Sequence, residues 1–313
     1  MTLPLLGAAD IETLGPGGAV DALEVALRGG LDPGATPARS HVTVPGGELL
    51  IMPAATREMA GVKIAGVAPG NAARGLPRIT GSYLLLDGPT LVPIALLDGA
   101  ALTTLRTPAV SALALRHLTP PSMGHLVLFG TGPQAYGHLA AVLAERHVDR
   151  ITVVGRTPHR VDALAEHSRR LGVSADAGNA DAVASADLVL CCTTAGSPLF
   201  DGALVRESAT VVAVGSHTPD ARETDSQLVA RSAVIVEERS AALAEAGDLL
   251  IPIAEGAFGA DDIAADLAEL VTRPDLAKDL ASAGRPRFFK SVGMGWEDLV
   301  VAAAVHRNAR AGA

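Results

Sequence analysis

Aromatic side chains are scarce in this chain: they make up 3% of its 313 residues, whereas hydrophobic residues reach 49%. The interior must therefore be built from Val, Leu, Ile and Ala, and the apolar supply is ample for sizeable cores. Cysteine is scarcer still. The two present, Cys191 and Cys192, are adjacent. That excludes a disulfide framework and fits a reducing compartment, so a cytoplasmic location is expected. The pair reads as small apolar residues of a buried strand. A surplus of basic charge is also missing: the formal net charge is -9. This argues against a nucleic-acid partner, but not against a small anion, because a few local arginines can outweigh the global sign. Long hydrophobic runs are absent too. No stretch of about 18 uncharged apolar residues occurs, so no membrane span is expected. The run at 91–97 stops at Asp98. The first ten residues carry no basic residue ahead of their apolar stretch, so they do not read as a secretory signal.

What is present points to two domains. Residues 1–120 read as mixed α and β. Helical spacing over 19–28 ends at Gly29-Gly30. Short apolar runs at 48–52, 62–67, 82–86 and 91–97, bounded by Gly, Pro and Asp, are strand signals. Asp87-Gly88-Pro89-Thr90 reads as the turn of a hairpin. An Ala/Leu-rich helix follows over 103–118, and Thr119-Pro120-Pro121-Ser122 breaks it. From His125 the rhythm becomes strand, helix, strand, with apolar runs at 125–129, 150–154, 188–192, 210–214 and 233–236 and helical stretches at 133–147 and 160–171. That alternation implies a parallel sheet with helices on both faces, a complete nucleotide-binding domain over 121–285. The segment 286–313, a short strand, a loop and an amphipathic helix over 297–310, is expected to return to the first domain, which would make that domain discontinuous.

The nucleotide site is the most specific motif. Leu126-Val127-Leu128-Phe129 leads into Gly130-Thr131-Gly132-Pro133-Gln134-Ala135, a G-x-G-x-x-A run directly after a strand and before a helix. The first glycine makes the tight turn, the second lets backbone approach a pyrophosphate, and the small third residue lets helix pack on strand. Free N–H groups at the helix start meet phosphate charge, and Pro133 gives up an N–H that has no intrahelical partner. At the end of the second strand an acidic residue would bind the ribose hydroxyls of NAD. Here Arg156, Thr157 and Arg160 stand instead. Cations and a hydroxyl suit a 2′-phosphate, so NADP(H) is preferred over NAD(H). Thr193 and Thr194 after the fourth apolar strand, and Val214 and Gly215 after the next, fall on loops that line the ligand crevice of such sheets. No metal is expected.

A second group of candidates lies outside that domain. Arg39, Lys63 and Arg106 sit beside glycine, proline or strand ends. Lys63 falls within an apolar strand, where it is either solvent-facing or functional. Arg106 falls at an apparent helix start, where a cation opposes the helix dipole unless an anion is bound there. Arginine grips a carboxylate as a fork and lysine adds a point charge.

Further motifs resemble the ornithine cyclodeaminase/mu-crystallin family over nearly the whole chain. They are Met52-Pro53, Gly61-Val62-Lys63, Asn71 with Gly75-Leu76-Pro77, Leu102-Thr103-Thr104-Leu105-Arg106-Thr107, the glycine turn, Glu245-Ala246-Gly247-Asp248 and Lys290-Ser291-Val292-Gly293. The resemblance implies an α/β chain with a Rossmann doubly wound sheet inserted in a discontinuous α+β domain for substrate binding and dimerisation. It implies that Arg39, Lys63 and Arg106 hold the carboxylate of a small amino or imino acid, that Thr107 and Ser291 neighbour nicotinamide and substrate, and that the protein is a homodimer. Cyclodeaminases of the family carry an Asp where this chain has His217, and an acidic residue where it has Arg156. Both departures point to the branch that reduces cyclic ketimines, 1-pyrroline-2-carboxylate and 1-piperideine-2-carboxylate, with NAD(P)H. The alternatives are an ornithine cyclodeaminase, an alanine dehydrogenase-type oxidoreductase, and a non-catalytic NADPH-binding protein. In the reductase reading His217, able to titrate near neutral pH, is the expected proton donor to the imine, and Lys63 holds carboxylate or assists the proton.

Overall fold

The structure, a computed structural model, describes residues 3–311, and for Ala72 only the backbone. The chain divides into two compact units. One takes the residues up to Val110 and those from Met294 onward, and the other is Ser111–Gly293. The elements begin with β1 (Leu5–Leu6), α1 (Ala8–Glu12), α2 (Gly15–Arg28), β2 (Ser40–Val44), β3 (Gly47–Ala55), β4 (Met59–Val67), β5 (Ile79–Asp87), β6 (Pro93–Asp98) and α3 (Gly99–Leu118). They continue with β7 (Ser122–Phe129), α4 (Pro133–Glu145), β8 (His147–Val154), α5 (Pro158–Arg170), β9 (Ser174–Ala177), β10 (Leu188–Cys191), β11 (Thr210–Ala213), α6 (Ser226–Arg231) and β12 (Ala233–Val236). Last come α7 (Arg239–Glu245), α8 (Gly247–Ala254), β13 (Ile263–Asp266), α9 (Leu267–Thr272), α10 (Pro274–Ala281), β14 (Arg287–Lys290) and α11 (Gly295–Ala311).

Among the described residues the first unit holds a six-stranded sheet in the order β1-β6-β5-β4-β3-β2. Its neighbours are antiparallel except β1 with β6. Strand alternation gives it two different faces. One face buries Leu50, Met52, Ala65, Tyr83, Leu85 and Leu97. There α11 packs on β3, β4 and β5, and also on α2. The other face presents Leu49, Ile51, Val62, Ile64, Leu84 and Leu96, none of them buried. Helix α2 buries Ala19, Val20, Leu23 and Leu27 at helical spacing. It stops at the expected glycine pair, with Gly30 at φ 89°.

Two expectations for this unit are corrected. The helix expected from Thr103 starts at Gly99, because Asp98 caps it: its Oδ1 accepts from Ala100 N at 2.9 Å and Ala101 N at 3.0 Å. Arg106 is therefore well inside the helix, away from the positive end of its dipole. The strand expected from Leu91 starts at Pro93, because Leu91 is used in the turn at φ 57°.

The second unit holds an eight-stranded sheet in the order β13-β12-β14-β11-β10-β7-β8-β9. Every pairing in it is parallel. The chain enters at β7, winds outward to β8 and β9, then crosses to β10 and β11 on the other side. This is the doubly wound, Rossmann-type topology, with its switch point between β7 and β10. One face of the sheet packs Val127, Phe129, Val189, Cys191, Val211 and Phe288 into a common core. The few aromatics are used there: the rings of Phe129 and Phe200 lie 5.2 Å apart. The segment expected to leave this domain at residue 286 does not. Arg287–Lys290 forms β14 between β11 and β12, with Phe288 and Phe289 buried on opposite faces, as a central parallel strand requires. Strands β9 and β13 escaped the sequence reading because they are four residues long and carry polar residues.

Candidate active site

The loops after β7, β8, β10, β11 and β14 lie at the carboxyl edge of the parallel sheet. The first is the glycine turn. Gly130 takes φ 107°, and a Cβ there would lie 2.3 Å from the carbonyl oxygen of Cys192. Only glycine fits, and the loops after β7 and β10 are thereby in backbone contact. Gly132 is the N-cap of α4 without a side chain to cap it, and a Cβ there would meet nothing. Helix-start N–H groups are thus left for an outside acceptor, and the cradle fits a pyrophosphate. The side-chain oxygen of Gln134 is buried there with no partner among the described residues. Ala135 is fully buried, as close helix packing needs. Gly155 approaches Thr131, since its Cβ would lie 3.0 Å from Thr131 Cγ2. Arg156 and Arg160 beyond it are exposed, and Thr157 caps α5 without using its hydroxyl.

The loops after β10 and β11 are joined from below by buried acids. Glu223 accepts from Thr193 N and Oγ1 and from Gly215 N. Val214 N donates to Cys191 O at 3.1 Å. Thr194 is exposed, and His217 is half-buried on the loop that follows. Ser291 is buried at the end of β14, where its N–H donates to Ala213 O at 3.4 Å. Burial raises the Glu223 carboxyl above the ordinary carboxylate range, although Lys290 opposes it. Burial pushes both cysteine thiols well up, and both are free. They remain neutral packing groups.

The first unit carries the other candidates. Lys63 points to the buried face of its sheet and is 3% exposed. Its Nζ pairs with Asp298 Oδ2 at 2.7 Å and donates to Thr103 Oγ1 at 3.4 Å. Arg106, on α3, donates from Nε to Asp298 Oδ1 at 3.1 Å and from Nη1 to Glu297 Oε2. Two cations thus converge on two adjacent carboxylates of α11. Burial first, and Arg106 second, bring Lys63 down to about 8, although Asp298 and Glu297 pull the other way. Tyr83 pairs in register with Lys63. Its hydroxyl is buried without a partner among the described residues, and burial, then Asp298, raises its pKa well above the usual value. Arg39 stands half-buried just before β2, beyond Ser40, which pairs with Ile51. The same line of register runs from Met52 to Lys63 to Tyr83. Thr107 is half-buried on α3.

The structure therefore brings Lys63 and Arg106 together in the first unit. In the second it gathers Gly130–Ala135, Thr193, Gly215 and Ser291 along one edge. It also adds residues that the sequence reading did not single out. Glu297 and Asp298 fall on the polar face of an amphipathic helix by spacing, yet both are fully buried. Their signal was an acidic pair set between Trp296 and Leu299-Val300-Val301. Asp248 and Lys290 stood only as parts of motifs, and Glu223 in no motif at all.

These features define a class: a doubly wound fold of the dinucleotide-binding type, in one chain with a unit that buries a lysine and an arginine on an acidic pair. Residues 20–313 match the ornithine cyclodeaminase/mu-crystallin family, and the chain belongs to it. It is 37% identical over 262 residues to the Δ1-pyrroline-2-carboxylate reductase of Colwellia psychrerythraea, covering 82% of each chain. It is 35% identical over 266 residues to the enzyme of the same name from Bacillus cereus, covering 83% of this chain and 81% of that one. Among solved structures it resembles Thermococcus litoralis Δ1-pyrroline-2-carboxylate reductase in complex with NADH and L-proline. There the TM-score is 0.89 at 30% identity, over 99% of this chain and 98% of the other. Among the described residues no helix is long and apolar enough to cross a membrane.

Proposed function

We propose that this protein is an NAD(P)H-dependent reductase of cyclic imino acids, converting 1-pyrroline-2-carboxylate or 1-piperideine-2-carboxylate to proline or pipecolate. The observation that carries this reading is the convergence of Lys63 and Arg106 on Asp298. Two buried cations fixed by a shared counter-ion are pre-organised donors for a substrate carboxylate. The reductases it resembles, one of them solved with NADH and L-proline, support the substrate class.

In this mechanism Arg106 and Arg39 grip the carboxylate and Lys63 adds a third donor, which orients the C=N bond. Glu297 and Asp298 hold the guanidinium and ammonium in place. When bound, the reduced nicotinamide supplies the hydride that forms the new C–H bond at the imine carbon. The nitrogen must carry a proton for that addition, and His217 donates it. Thr107 and Ser291 complete the surroundings of the nicotinamide and substrate. Arg156, Thr157 and Arg160, the exposed group after β8, favour NADP(H) over NAD(H) through the 2′-phosphate. The open apolar face of the first unit's sheet supports a homodimer.

A substrate panel tests the activity. Both cyclic ketimines, pyruvate with ammonia, and ornithine are each offered with NADH and NADPH, and cofactor oxidation and ammonia release are followed. Turnover of the cyclic ketimines is expected to dominate. Ammonia release from ornithine without net cofactor use, turnover confined to pyruvate with ammonia, or binding without turnover would each overturn the reading.

A further inference from the structure

Buried charge is concentrated beneath the carboxyl edge of the parallel sheet, in groups that neither grip the carboxylate nor move the proton. Glu223, Asp248 and Lys290 are all fully buried. Glu223 Oε1 accepts from Thr193 N and Thr193 Oγ1, both at 2.7 Å, and Oε2 accepts from Gly215 N at 2.7 Å. One carboxylate therefore bridges the loop after β10 to the loop after β11. Asp248 Oδ1 accepts from Glu223 N at 2.8 Å and from Thr224 N and Oγ1 at 2.9 Å, which fixes the backbone that carries Glu223. Its Oδ2 pairs with Lys290 Nζ at 3.0 Å, and Lys290 donates to Ser216 O at 2.6 Å. Lys290 thereby ties α8 and the loop after β11 to the end of β14.

The bridge sets a distance. A Cβ on Gly215 would lie 2.0 Å from Thr193 O and 2.5 Å from Glu223 Oε1. The two loops are thus in backbone contact, and the inward N–H groups at that contact have the Glu223 carboxylate as acceptor. Apolar side chains packed beneath the loops would stabilise the sheet at least as well, because buried ionic groups carry a large desolvation penalty. They would leave those amides without an acceptor and the loop spacing unset.

We propose that Glu223 is a positioning residue for the nicotinamide half of the dinucleotide. It fixes the spacing between Thr193 and Gly215, while the turn at Gly130 receives the pyrophosphate. The proposal rests on the dinucleotide reading above and assigns Glu223 no contact with the ligand. Glu223→Gln keeps the shape but turns an amide NH2 toward a backbone N–H. Glu223→Asp keeps the charge and shortens the reach.

The test is calorimetric binding of NADH, NADPH and the isolated adenosine half, 2′,5′-ADP, to the purified full chain and its variants. Losing the set spacing of the two loops is expected to weaken dinucleotide binding by about ten-fold in E223Q, because the ligand must then order them itself. Binding of 2′,5′-ADP should stay within about two-fold of the parent, and E223D should fall between. Thr224→Val removes one donor to Asp248 without stranding a charge. It should show the same selective loss at smaller amplitude, so the test stands even where E223Q does not fold. Parallel weakening of dinucleotide and adenosine half, or no weakening of either, overturns the proposal. A parent protein that binds no nicotinamide dinucleotide overturns the dinucleotide reading itself, a different result from a parent that binds and variants that match it.

Discussion

Lys63 is half-protonated near pH 8, where an ordinary lysine is fully charged. In the proposed mechanism its ammonium helps to hold the substrate carboxylate below that pH, and the charge is lost as the pH rises through it. The KM for the imino acid is expected to rise several-fold between about pH 7 and about pH 9, and an initial-rate series at saturating cofactor measures it. Stability moves the opposite way. The unfolded chain keeps this proton up to 10.5 and the folded chain releases it at about 8, so the Lys63 contribution to folding improves as pH rises between those values. Arg156 gives a second expectation at this scale. Arg156→Ala should lower the ratio of kcat/KM for NADPH to that for NADH by about ten-fold or more, the worth of a charged hydrogen bond to phosphate. Steady-state rates with each cofactor decide it, and an unchanged ratio would count against the NADP(H) preference. The cations of the site were legible in the sequence because lysine and arginine stand out in apolar or turn surroundings. Their counter-ions were not. Glu297 and Asp298 are acidic residues in the first turn of a helix, an ordinary solvated position by every local rule. Only the packing of α11 onto β3, β4 and β5 buries them.

Elements were legible to the extent that their signals are local. The strand–glycine–helix unit at β7, Gly130 and α4 could be read because turn, helix start and close packing each demand a residue type. Gly130→Ala puts a Cβ into the Cys192 carbonyl at a backbone angle that L residues avoid. It is expected to cost about 1–3 kcal/mol from the strained backbone alone. It should also abolish dinucleotide binding, with denaturant midpoint and calorimetry as the measurements. The start of α3 was misread for a related reason. Asp98 ends β6 and caps α3 at once, and a pattern search that assigns it to the strand moves the helix start onto Thr103. Strand β14 was misplaced because its Phe288-Phe289 pair lacks alternation, and a four-residue run carries no record of which sheet receives it.

At the scale of the whole molecule, the sheet of the first unit buries one face and leaves the other apolar and open, with Ile64 48% exposed near its middle. Ile64→Lys is expected to convert a dimer to a folded monomer, read by sedimentation equilibrium beside circular dichroism, and a monomeric parent would remove the basis for the homodimer. The order of the parallel sheet has a consequence for biosynthesis. Strands β11 and β12 do not pair with each other; each pairs with β14, which follows both in the chain. Until residue 290 has emerged from the ribosome, both keep an unpaired edge along the apolar rows of Val211-Val212 and Val234-Ile235. Helix α11, which covers the buried face of the first unit's sheet, follows later still. Until then a nascent chain carries one sheet whose buried face is uncovered and one that lacks a central strand, the condition under which holding chaperones are recruited. A premature stop before Arg287 would release two sheet fragments with nothing to join them, and not merely a shortened enzyme.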